Sequence, residues 1–221
     1  MILDPSSLTK TVDNINALLL TGETIAPAEG LEAARWIMSR SAEPRSYRGL
    51  PAPTPTDFEY GIRVFTGEKL LSASARHIMG QEAARAVWLL GRSDPAVRSA
   101  YDLATGWMHI TPDFEQRGTF CCGRCSLAFW RHAWVADLAN KEAHLVKGLH
   151  QMKELRLGNG KWRNFPFFYA VYALSEVDLE PAYAELKYAL PAMERYLKIT
   201  RADVYSQRRV AIFSKVLENL N

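Results

Sequence analysis

This sequence predicts an all-α fold in which helical hairpins repeat along the chain to form a partial α/α toroid or a curved solenoid. Three observations carry that expectation. Proline recurs just inside apolar-periodic stretches, at Pro5, at Pro27, at Pro95 after Asp94 and at Pro181 after Glu180. Its missing N–H is harmless in a first helical turn, where the backbone donors have no intrahelical acceptor. Apolar residues fall at helical spacing, as in Leu145, Leu149 and Met152 or Ile212, Val216 and Leu220, whereas sustained strand-type alternation is hard to find. Finally, a turn of the form Gly-x-aromatic followed by an apolar run occurs twice, as Gly118-Thr119-Phe120 and as Gly160-Lys161-Trp162.

Taken in order, the first helix is expected over 5–20, opening at Pro5 and ending where Ala17-Leu18-Leu19-Leu20 meets Thr21-Gly22-Glu23. The second, over 27–40, opens at Pro27. From Ser41 to Asp57 the chain holds Pro44, Pro51, Pro53 and Pro55 and cannot continue a helix, so one long loop is expected there. Tyr47, Leu50 and Phe58 favour an ordered crossing over a hinge. Further helices are expected over 68–90, with His77-Ile78-Met79-Gly80-Gln81-Glu82 inside it, over 95–108 from Pro95, and over 123–139 behind the cysteine turn. Those over 141–157, 165–177, 181–198 and 203–220 complete a set of about nine, resting on the apolar faces above, on Phe165-Pro166-Phe167-Phe168-Tyr169 and on Pro181.

At 221 residues and 48% hydrophobic, the chain is long enough for one large core, and a single all-α domain over 1–221 is the expectation. Charged residues are mixed in sign and the net charge is only +3, so nucleic acid is not an expected partner. No apolar run reaches the roughly 18 residues of a membrane span. The opening Met1-Ile2-Leu3-Asp4-Pro5 lacks the positive region of a secretory signal, and three cysteines packed together suit a reducing compartment, so a cytoplasmic location is expected.

Aligning the two glycine turns sets Ala128 opposite Ala170, Trp130 opposite Tyr172 and Val135 opposite Val177. A period of about forty residues suits one helix pair per repeat, each pair hiding its apolar face on the next. Two unrelated helices that share a turn type are the plainer alternative. Over about residues 116–198, Gln116-Arg117-Gly118-Thr119-Phe120 and Gly158-Asn159-Gly160-Lys161-Trp162 resemble the glycine turns of the α/α-toroid proteins, the terpenoid cyclase and prenyltransferase-like group. The resemblance implies paired helices around an apolar cavity and, in catalytic members, isoprenoid substrates. The acid motif and zinc-ligand motif of those enzymes have no counterpart in this sequence, so their catalytic residues do not carry over.

Chemistry concentrates at Cys121-Cys122-Gly123-Arg124-Cys125. A cysteine in the first turn of a helix is favoured as thiolate by the local N–H groups and dipole, which opens metal, redox and nucleophilic uses, beside plain packing. Cys122 and Cys125 supply two ligands for a metal, zinc being possible. His132 lies about 10.5 Å further along the same helix and is too distant to share their ion, leaving His77 and His109 as partners. A disulfide, if one forms, is expected between Cys122 and Cys125, because adjacent cysteines are strained. A lone helical histidine such as His77 is more often a surface or cap group; the alternative is a polar cluster of His77, Glu82 and His132 facing an interior cavity. Trp130, Trp162 and Tyr169, with the neighbouring aromatics, are dense enough either to line an apolar pocket or to fill a core. The basic residues Lys153, Arg156, Lys161, Arg163, Arg201, Arg208, Arg209 and Lys215 could form a patch for phosphate or nucleic acid, but they are interspersed with acids and read better as a solvated face. The leading functional expectation is a helical-repeat protein binding a hydrophobic ligand or protein partner on a face lined by these cysteines and aromatics. The alternatives are a prenyltransferase-like or metal-dependent enzyme using Cys121–Cys125, and a thiol redox switch.

Overall fold

The computed structural model describes residues 1–199 and 202–220, so Arg201 lies outside the described residues. Eleven α-helices are present among them: α1 Leu8–Thr21, α2 Pro27–Ser39, α3 Pro55–Tyr60, α4 Ser72–Gly91, α5 Pro95–Thr105, α6 Pro112–Arg117, α7 Gly123–Val135, α8 Lys141–Glu154, α9 Phe167–Leu174, α10 Glu180–Leu197 and α11 Val204–Leu220. Extended pairing among the described residues is confined to isolated bridges, Tyr47 with Leu50, Arg63 with Lys69 and Arg156 with Trp162. The protein is all-α. No helix among the described residues is long and apolar enough to cross a membrane.

Pro27, Pro95 and Pro181 sit in first helical turns, as their chemistry requires. Pro5 does not. It precedes α1, whose N-cap is Ser7, with the hydroxyl accepting from the Lys10 N–H. Two short helices, α3 and α6, lie outside the set expected from sequence, although Thr54-Pro55 and Thr111-Pro112 carry the same proline signal as the others. The helix expected from residue 68 starts at Ser72, and the one expected to run to 108 gives way at Gly106 to a 3-10 turn over Gly106–Ile110.

The helices fall into two compact units, one comprising Met1–Val64, Lys69–Thr111 and Val135–Ala139, the other Phe65–Glu68, Pro112–Trp134 and Asn140–Asn221. In the first, α4 is the central helix and packs on α1, α2 and α5. Leu50, in the proline-rich segment, is fully buried there, and Ala52 is nearly so, which gives that segment its place in the core. The Asp57 carboxylate, itself buried, accepts from Ser7 Oγ at 2.5 Å, Leu8 N at 3.0 Å, Thr9 N at 3.2 Å and Thr54 N at 2.7 Å. One side chain thereby closes the N-termini of α1 and α3.

In the second unit α7 and α9 are the buried helices, each with an unbroken run of covered residues, Cys125–Ala133 and Tyr169–Leu174. Helix α8 packs on α6 and α10, and α10 also packs on α9 and α11. The Phe65–Glu68 strap belongs to this unit. Arg208 and Arg209 donate to the Phe65 and Thr66 carbonyls, and Glu68 accepts from the Tyr169 N–H at the start of α9. Both glycine turns have left-handed backbones, with φ of +70° at Gly118 and +84° at Gly160. Each seats its α-carbon against a later helix: a Cβ on Gly118 would lie 2.3 Å from the Gly148 nitrogen in α8, and one on Gly160 would lie 2.9 Å from Ala192 Cβ in α10.

Candidate thiol site

Three features shape the turn that enters α7. Cys121 has φ +58°, a left-handed conformation that a side chain adopts only when its surroundings impose it. Ser126, fully buried, ties the turn to the helix: its Oγ accepts the Phe120 N–H at 2.9 Å and lies 2.9 Å from the Cys122 carbonyl and 3.2 Å from the Phe120 carbonyl, either of which can take its proton. Gly123 is pressed against the neighbouring turn, where a Cβ would stand 2.4 Å from the Asn164 carbonyl oxygen. Neither Ser126 nor Asn164 was singled out in the sequence, and only the short Ser-after-Cys spacing hints at the clamp.

The outcome is convergence of the three sulfurs. Cys121, Cys122 and Cys125 have all their Sγ atoms within 4.8 Å of one another, and Cys122 Sγ lies 3.2 Å from Cys125 Sγ. Two thiolates on one tetrahedral zinc stand about 3.8 Å apart, from Zn–S bonds of about 2.3 Å, so the spacing suits a shared ion. No histidine or carboxylate of the described residues joins this group, His77 and His109 included. Cys121 and Cys122 are exposed and Cys125 is buried. Cys125 does lie in the first turn of α7, yet its thiol is pushed far above the usual range, first by burial and then by Cys122 and Cys121 beside it. Desolvation outweighs the helix dipole, correcting the expectation of a thiolate at this position.

The other sequence candidates are held in packing. Trp130 donates its indole N–H to the Gly118 carbonyl at 2.6 Å and stacks on Phe165 at 5.7 Å between centroids. Trp162 donates to Glu185 at 2.7 Å, and Arg156 forms a two-point pair with the same carboxylate. Tyr169 and His132 are fully buried on α9 and α7. His77 and Glu82 belong to the first unit, on α4, and His132 to the second. Burial holds the His77 imidazole below its ordinary range, and the Tyr47 ring lies 5.0 Å from it. His109 borders a cleft of about 290 Å³ in the first unit, with Trp88, Arg98, Tyr101 and Asp102 among its walls. Of the basic residues, Arg156, Arg208 and Arg209 are engaged with a carboxylate or with backbone carbonyls. The chain matches no family model, no curated protein and no solved structure.

Proposed function

We propose that this chain is a helical-repeat scaffold that binds a thiophilic ion through Cys121, Cys122 and Cys125. The carrying observation is the approach of all three Sγ atoms to within 4.8 Å, two of them open to solvent. The repeat part of the reading, a partial toroid or curved solenoid, draws support from the second unit, where two left-handed glycine turns lead into buried helices and each turn rests on a later helix. The aromatic residues offered as pocket walls support it less, because Trp130, Trp162 and Tyr169 are buried against protein. Cadmium, a soft divalent probe with a thiolate charge-transfer absorption, tests the reading directly. One equivalent added to the reduced full-length protein should produce that absorption and protect three thiols from a disulfide reagent. If all three thiols keep their reactivity at millimolar cadmium and with every other thiophilic ion tried, the reading is lost.

A second reading, the dithiol switch, is favoured by the 3.2 Å between Cys122 and Cys125 sulfurs. Closing a bond of about 2.05 Å needs a displacement of only about 1 Å. Mass spectrometry after exposure to oxidised glutathione should locate the bridge at Cys122–Cys125, and an unaltered thiol count would dismiss it.

A further inference from the structure

We infer that the thiol turn selects a trivalent metalloid hydroxide of the arsenite class over divalent cations, because its three converging sulfurs, one of them buried, form an all-sulfur set that favours a neutral product. The inference rests on the thiophilic-ion reading and specifies its occupant.

Coordination number and charge both point this way. A divalent ion that takes three thiolates releases three protons and leaves one net negative charge on the cluster. That charge would be shared with Cys125 Sγ, whose residue is 2% exposed and is followed along α7 by the buried Leu127, Ala128 and Phe129. Placing charge on a sulfur so enclosed costs free energy. Divalent ions of this type also seek a fourth ligand, and none of the described histidines or carboxylates belongs to the group.

Arsenite avoids both difficulties. The exchange As(OH)₃ + 3 RSH → As(SR)₃ + 3 H₂O forms three As–S bonds and breaks three As–O bonds. Each sulfur proton leaves with a hydroxide as water, arsenic stays trivalent and no charge enters the site. The product fills its valence with three sulfurs and a lone pair, so a fourth protein ligand is unnecessary. The exposed Cys121 and Cys122 meet the incoming hydroxide first, and the Cys125 exchange then proceeds within the bound complex. The left-handed Cys121 and the Ser126 clamp hold the turn in its converged shape before binding.

The test is a paired titration of the full chain, kept reduced by a phosphine, with sodium arsenite and with cadmium chloride between about pH 6 and pH 8. Bound stoichiometry is read by thiol protection and by intact-mass analysis. Arsenite should bind one to one, protect three thiols and show an affinity that changes less than about twofold over this range, because no net proton is released. Cadmium affinity should rise at least about tenfold per pH unit. Cys121→Ser, at an exposed position, should weaken arsenite about a hundredfold by removing one arm of the chelate, with circular dichroism unchanged. Cys125→Ser should do the same if it folds. Protection by cadmium without arsenite binding overturns this inference and leaves the thiophilic-ion reading standing. Protection by neither removes both. Full arsenite affinity in Cys121→Ser overturns the three-sulfur assignment.

Discussion

Replacing Ser126 with alanine removes a side chain that ties the cysteine turn to α7. Its Oγ accepts the Phe120 N–H at 2.9 Å and reaches a carbonyl of the same turn, the nearer being Cys122 at 2.9 Å. All of this takes place in a fully buried residue, so water cannot replace the lost partner without opening the turn. A neutral hydrogen bond contributes about 0.5–1.5 kcal/mol net, and leaving its buried partner without that acceptor costs about 1–3 kcal/mol. The expected loss is therefore about 2 kcal/mol, or about 4–8 °C in melting temperature for a chain of this size. Urea unfolding followed by far-ultraviolet circular dichroism measures it. The same variant should bind arsenite and cadmium more weakly, since the left-handed Cys121 is then no longer held in place. An unchanged unfolding midpoint together with unchanged ion affinity would refute the claim that Ser126 builds the site.

Three further outcomes follow from the same geometry. Gly148→Ala should destabilise by about 3 kcal/mol or more, read by thermal melting, because its Cβ would lie 2.2 Å from the Gly118 carbonyl oxygen and 2.7 Å from Trp130 Cζ2, neither of which can withdraw freely. Asp57→Ala should cost about 3–5 kcal/mol in urea unfolding, since two helix N-termini lose their common acceptor. The third concerns alkaline pH: the Cys125 thiol has its folded value raised by burial, so the folded state holds this proton more tightly than the unfolded state. Stability from this source is complete below the ordinary thiol value of about 8.5 and declines as pH rises above it. Cys125→Ala should flatten that alkaline decline in a pH series of unfolding midpoints, and an unchanged slope would count against the buried thiol.

Much of the helical skeleton was legible because it depends on local chemistry. Pro27, Pro95 and Pro181 mark first turns by lacking a donor that those positions cannot use, and Leu145, Leu149 and Met152 mark a covered face by spacing alone. The short helices are not legible by spacing, because six residues, as in Pro55–Tyr60, hold too little periodicity to stand out. Their capping residues were the readable signal. At the site, sequence proximity revealed the three cysteines but not their convergence, which depends on contacts from outside the motif: Ser126 behind the turn and the Asn164 carbonyl against Gly123. The raised thiol of Cys125 departs from the sequence expectation for a related reason. The helix dipole follows from sequence position, whereas desolvation follows from what packs around the sulfur. Trp130 illustrates the same divide, since its role is to donate to Gly118, and only a fold that bends the chain back at a left-handed glycine creates that acceptor.

The closeness of the cysteines in sequence gives the ion a second, less obvious effect on stability. An ion that bound only the folded chain at a hundred times its Kd would stabilise it by about 2.7 kcal/mol. Here the unfolded chain also carries all three thiols between Cys121 and Cys125, and a flexible loop so short can close around an ion at small entropic cost. The gain on binding must then fall below the one-site value, by the logarithm of the unfolded chain's own affinity. What remains measures how much the folded turn, with its left-handed Cys121 and its Ser126 clamp, is arranged in advance. Saturating arsenite should therefore raise the urea midpoint of the native protein by clearly less than the full linkage value calculated from its measured Kd. It should raise that of Ser126→Ala hardly at all, because folded and unfolded turns then differ little. A shift equal to the full linkage value would mean that the unfolded thiols do not bind, and an equal shift in both proteins would mean that the clamp arranges nothing.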